Sequence, residues 1–214
     1  MRGRNRLLHY ANLKTAWWLF LAATVAIPGV SQSLTPSERA RALRDLEASQ
    51  TEFLDSVAGL TDAQWTYHPA PDVWSIAECA EHIALSEDTL LQVIEKVAHS
   101  PFISTKGGRQ QDELVLEMVR DRRQKMKAPE SVTPTHRWPN KTALVQHFLE
   151  SRRRTIEFVR DTQDDLRMRF KPHPIYGTLD AYQWVLVLSA HTQRHTAQLN
   201  EVKSSSGYPK RVMP

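Results

Sequence analysis

Four long stretches of this chain repeat their apolar residues every three to four positions, a period that restricts the fold to packed α-helices. The first opens on Thr35-Pro36-Ser37-Glu38, which supplies a threonine N-cap, a proline at the first helical position and a glutamate three residues after the cap. Leu43, Leu46, Gln50, Phe53, Leu54 and Val57 then recur at helical spacing, and Gly59 ends the run. Thr61-Asp62-Ala63-Gln64 repeats the capping pattern for a single turn, and Ser75-Ile76-Ala77-Glu78 opens a second long helix striped by Ile76, Ala80, Ile83, Leu90, Ile94 and Val97. A third fits Lys141 to Thr162, with Leu144, Phe148, Ile156 and Val159 on one side, and a fourth runs from Leu179 to Lys203. Between residues 99 and 139, Pro101, Gly107, Gly108, Pro129, Pro134 and Pro139 break the pattern around a shorter amphipathic helix spanning Asp112 to Lys125, and Lys171 to Gly177 reads as a turn. Only 7 glycines and few alternating apolar patterns argue against a sheet protein. The predicted fold class is all-α, a four-helix bundle with one long connection; the lack of an internal repeat excludes a solenoid.

Residues 1–33 read as a targeting segment. Arg2, Arg4, Arg6 and Lys14 precede an apolar run from Trp17 to Ile27, Pro28-Gly29 breaks it, and Ser31-Gln32-Ser33 offers small residues for cleavage near Ser33. The run is shorter than the ~20 residues of a spanning helix, which favours a removable signal peptide over an uncleaved N-terminal anchor. The expected mature domain is therefore residues 34–214, in a periplasmic or extracellular location, with no stable membrane span. The leader carries four of the 28 basic residues and no Asp or Glu, leaving 24 basic residues against 24 acidic. A neutral mature chain argues against nucleic acid as a partner. Arg152-Arg153-Arg154 is the one dense basic run left and reads as a solvated helix face. Cys79, the only cysteine, excludes an intramolecular disulfide and reads as a small buried hydrophobe.

The chemistry is carried by histidines. His191 and His195 sit four residues apart in the stripe Trp184, Leu188, His191, His195, Leu199 and Val202, so both rings share one helix face and can hold a single metal ion. Unpartnered in a core, each would cost about 1–3 kcal/mol. Two unrelated histidines satisfied by water or a carboxylate have the same spacing. His82 lies at the shoulder of the second helix's stripe, where it can face a seam between helices. Glu78, one turn before His82, is the one candidate for a catalytic base, although its capping-box role already accounts for it. Gln198 suits either a pocket wall or the helix surface. His68, His136, His147 and His173 read as loop or surface histidines, and Tyr182 and Trp184 as packing.

Val73-Trp74-Ser75-Ile76-Ala77-Glu78 with Glu81-His82-Ile83, and Gly177-Thr178-Leu179-Asp180 leading to Ala190-His191-Thr192-Gln193-Arg194-His195-Thr196-Ala197-Gln198-Leu199, resemble the DinB-like superfamily across residues 37–203. The resemblance implies an antiparallel-type four-helix bundle with a long crossover, and a divalent metal held at the positions of His82, His191 and His195. It implies a metal-dependent enzyme, since known relatives include thiol S-transferases, a thiol-dependent isomerase and proteins described as metal-dependent hydrolases. Three imidazoles leave coordination positions open for water or substrate; zinc is the first choice of metal, and nickel and iron accept the same donors. Hydrolysis of a small-molecule substrate by water is the function expected of an exported protein, because low-molecular-weight thiols are chiefly intracellular. A thiol-dependent S-transferase and a non-enzymatic metal- or ligand-binding bundle are the alternatives. A homodimer through an exposed apolar helix face is compatible with such a bundle.

Overall fold

The capping boxes expected at Thr35, Thr61 and Ser75 all close in the computed structural model of the chain, which describes residues 33–101, 111–123 and 125–210. The targeting segment expected over residues 1–33 lies outside the described residues except for Ser33. Thr35 caps α1 (Pro36–Val57), Thr61 caps the single turn α2 (Asp62–Trp65) and Ser75 caps α3 (Ile76–Ala98), each through reciprocal bonds with the residue three positions on. Helix α4 (Asp112–Arg120) is shorter than the period suggests, ending at Asp121, whose carboxylate takes the Arg123 N–H and guanidinium. A 3₁₀ turn at Glu130–Val132 precedes α5 (Lys141–Asp161), capped by Asn140, and α6 (Ala181–Lys203) closes the fold. Among the described residues no helix is long and apolar enough to cross a membrane.

The segment read as a turn before α6 is a β-hairpin. Strands β1 (Phe170–His173) and β2 (Gly177–Asp180) pair antiparallel, from Phe170 opposite Asp180 to His173 opposite Gly177. Gly177 sits at φ 79°, a left-handed conformation that glycine adopts without steric cost. Leu179 and Asp180 belong to the strand, and α6 starts only at Ala181. Asp180 is its N-cap: its carboxylate accepts the Gln183 N–H at 2.7 Å, and the Gln183 amide oxygen accepts the Asp180 N–H at 3.1 Å.

The bundle is formed by α1, α3, α5 and α6. Helix α1 packs on α5 and α6, and α3 packs on the same two, so α1 and α3 occupy diagonal corners. Arg39 near the start of α1 donates to the carbonyls of Arg160 and Thr162 at the end of α5, so these helices are antiparallel. Tyr182 at the start of α6 donates to the Glu38 carbonyl, and Lys203 at its end donates to Ser56, so α6 runs parallel to α1. His82 faces His195 and Glu87 faces Thr192, which runs α3 against α6. The order is up-down-down-up. Helices α3 and α5 are parallel neighbours, so the chain between His99 and Asn140 must travel back along the bundle, and α4 lies on α6 along that path.

The apolar core falls into two clusters. One gathers Leu46, Ile94, Val159, Leu186 and Leu188; the other gathers Phe53, Ile76, Ile83, Phe148 and Leu199. Between them each helix contributes one polar residue: Ser49, Glu87, Arg152 and Thr192. Arg152 is 0% exposed, which corrects its reading as part of a solvated face. Its guanidinium donates to Glu87, to the Leu46 carbonyl, to Ser49 at 2.7 Å and to Thr192 at 3.0 Å. Arg153, by contrast, pairs with Glu150 and Glu157 on the exposed side.

Candidate metal centre

Helices α3 and α6 are antiparallel neighbours, so a residue in the first third of α3 meets the middle turns of α6. His82, His191 and His195 come together there, each offering a ring nitrogen within 4.8 Å of the others. Ring centroids lie 5.1 Å apart for His82 and His191, 4.3 Å for His82 and His195, and 4.4 Å for His191 and His195. Zinc–nitrogen bonds of ~2.0–2.1 Å in a tetrahedral shell put donors about 3.4 Å apart, so side-chain adjustment suffices to close the triad on one ion. His82 is buried, whereas His191 and His195 are partly open to solvent, leaving a route for an exchangeable ligand.

Two ring orientations are fixed from outside the triad. His82 Nδ1 lies 2.8 Å from the Val132 carbonyl, and His195 Nδ1 lies 2.8 Å from the Gln198 side-chain oxygen. Both oxygens only accept, so each Nδ1 carries the proton and each Nε2 keeps its lone pair for a ligand. Such partners are the usual supports of metal-binding histidines. His191 has no hydrogen-bond partner among the described residues. The Trp74 ring lies 5.2 Å from that of His82 and walls the site on that side.

The electrostatics favour neutral rings. Burial lowers the His82 pKa against the smaller opposing effect of the Val132 carbonyl. It lowers His191 well below the usual histidine range, with His195 and His82 adding to the shift. Burial, reinforced by His82, takes His195 down to about 3, against the opposing Gln198 bond. Unprotonated imidazoles that share no proton and converge on one point are suited to a cation. The triad thus fits a divalent metal by donor type, spacing and protonation state.

Of the other candidates, Glu78 is engaged in the cap: its carboxylate accepts the Ser75 N–H at 2.8 Å and the Ser75 hydroxyl at 3.0 Å. Gln198 supports His195 through its side-chain oxygen. His147 is half-buried on α5 and pairs with Asp88 at 2.8 Å; His68 is exposed. His173 is no loop residue: it ends β1 and stacks on Tyr176 with ring centroids 4.4 Å apart. Tyr182 and Trp184 are buried in the core, as their packing role requires. Two surface depressions of about 250 Å³ lie elsewhere, one bounded by Arg120, Gln193, Arg194 and Ala197 and the other by Val57, Lys141 and their neighbours; no histidine of the triad lines either.

The sequence profile of the DinB superfamily matches residues 45–199, a span that contains all three histidines. The chain belongs to the DinB superfamily. It is 25% identical over 156 residues to YuaE of Bacillus subtilis (strain 168), an uncharacterized protein, covering 72% of this chain and 93% of the relative. Its fold is similar to that of YfiT from Bacillus subtilis, with a TM-score of 0.55 at 16% identity, covering 83% of this chain and 92% of that one. YfiT is described as a probable metal-dependent hydrolase with an unusual four-helix bundle topology.

Proposed function

We propose that this DinB protein is an exported metal-dependent hydrolase acting with water at the three-histidine site, and that zinc is its metal. The observation that carries the reading is the convergence of three neutral imidazoles from α3 and α6, two of them, His191 and His195, partly open to solvent. A divalent ion held there supplies Lewis-acid activation of water and of a substrate carbonyl or phosphoryl oxygen. The chain's own residues prepare for this: Val132 and Gln198 hold the Nδ1 protons, and burial keeps the rings unprotonated at neutral pH. The description of YfiT supports the reaction class. Export rests on the basic leader, the apolar run from Trp17 to Ile27 and the small residues before Leu34.

Metal analysis of the purified protein, with His82→Ala, His191→Ala and His195→Ala in parallel, tests the site. One equivalent of zinc in the wild type and its loss in each variant are expected; stoichiometric metal in all three variants would refute it. Assay of the zinc-loaded protein against a panel of esters, amides and phosphoesters tests the reaction. Turnover that chelation abolishes is expected. Inactivity across the panel at full zinc occupancy, or turnover only with an added thiol, would overturn hydrolysis.

A further inference from the structure

Adjacent residues of α3 grip the same loop, and we propose that Glu81 is a positioning residue that fixes the His82 ring for metal binding. The proposal rests on the reading of His82 as a ligand and adds the element that holds it in place. Glu81 is 3% exposed and is not one of the three converging donors. One of its carboxylate oxygens, Oε1, accepts the backbone N–H groups of Thr135 at 2.9 Å and Arg137 at 3.0 Å; the other, Oε2, accepts that of His136 at 2.9 Å. Three successive N–H groups reach one carboxylate because His136 sits at φ 59°, a left-handed conformation that curls the backbone into a concave anion-binding nest. Positive φ is uncommon for a non-glycine residue, and here the His136 N–H bond to the carboxylate favours it.

The same loop supplies the His82 partner. Val132, three residues before Thr135, presents the carbonyl that takes the His82 Nδ1 proton at 2.8 Å. Residue 81 therefore holds the loop at 135–137 while residue 82 meets it at 132, and both grips start from one turn of a capped helix. With the loop held, the carbonyl cannot swing away from the ring, Nδ1 keeps its proton, and the Nε2 lone pair stays directed for coordination. With the loop released, the ring is free to rotate and to exchange tautomers. Both Glu81 oxygens are consumed in this clamp, so its contribution to the centre runs through the loop and not through direct ligation.

The test compares wild type, Glu81→Gln and Glu81→Ala by Zn²⁺ affinity, using competition with a chromophoric chelator, and by the His82 tautomer in the metal-free protein, using ¹⁵N imidazole NMR. The wild type should carry the His82 proton on Nδ1. Glu81→Gln, which keeps one accepting oxygen, should weaken zinc binding about tenfold and Glu81→Ala up to about 100-fold, the usual range for loss of a partner behind a metal ligand. The single Nδ1–H signal should disappear in step. A proton on Nε2 in the wild type would overturn the proposal, and that measurement needs no variant to fold. So would variants that melt earlier yet keep wild-type zinc affinity and tautomer, since that result marks a purely structural role. If the wild type binds no zinc, or His82→Ala binds it equally well, the metal-site reading falls and this inference falls with it; tight wild-type binding with unaffected Glu81 variants removes this inference alone.

Discussion

Arg152→Met should be among the most destabilising single substitutions in this protein. The guanidinium is 0% exposed and its partner Glu87 is 1% exposed, so the substitution leaves a carboxylate in the core with one distant donor, the Thr192 hydroxyl at 3.3 Å. Removing one member of a buried pair costs about 3–5 kcal/mol, chiefly through the stranded charge. For a domain of this size each kcal/mol moves Tm by about 2–4 °C, so the expected fall is roughly 6–20 °C. Replacing both members, Arg152→Met with Glu87→Leu, should restore most of this loss, because no charge remains and the desolvation penalty of the pair disappears. Ser49 keeps its own bond to the Leu46 carbonyl at 3.0 Å, so the apolar pair strands no hydroxyl there. Urea and thermal unfolding followed by circular dichroism, with the urea slope checked for constancy, measure both variants. A double variant as unstable as the single, or a single variant within about 1 kcal/mol of wild type, would refute the account of the layer as a charge-compensated unit.

Zinc at a hundred times its Kd should stabilise the protein by about 2.7 kcal/mol, seen as a rise in Tm that chelation reverses; an equal rise in His191→Ala would place the ion elsewhere. Metal-free stability should fall as the pH is lowered from about 6.5, because the unfolded chain takes up protons on these histidines near that value while folded His195 takes one up only at about 3. The contribution is thus fully present above pH 6.5 and lost toward 3; a Tm that stays flat or rises between pH 7.5 and 5 would contradict the buried, neutral triad. Gln198→Ala frees His195 Nδ1 and should weaken zinc binding about tenfold by chelator competition, with little change in Tm. Unchanged affinity would show that the His195 ring needs no such support.

The helices and two of the three triad members were legible in the sequence because their information is local. A capping box spans four residues, and the spacing of His191 and His195 is itself the geometry that places both on one face. His82 required the pairing of α3 with α6, which the family resemblance supplies and periodicity does not. Arg152 shows what local reading misses: three consecutive arginines look solvated until Glu87, 65 residues earlier, is brought opposite the first of them. The hairpin was hidden because Pro172 and Pro174 interrupt any strand pattern, and only Leu179 and Asp180 at its far end are buried among the β2 residues. The Asp180 cap could have been found, since Asp180 and Gln183 carry the right residue types at the right spacing; starting the helix at Leu179 obscured it. Glu81 stands in a block that carries the family resemblance, but its contacts were hidden, because its partners are backbone N–H groups that any residue except proline can supply.

Cys79 is fully buried, and burial pushes its thiol pKa far above the usual range. It sits on α3, one turn before His82, among Phe53, Ile76 and Ile83. A thiol-reactive dye therefore reacts only with molecules whose bundle has opened, and no other thiol in the chain competes for it. The labelling rate at this single position is a clock for opening of the very helix that carries His82. Timed with and without zinc, it reports how far the ion slows that opening without any engineered probe.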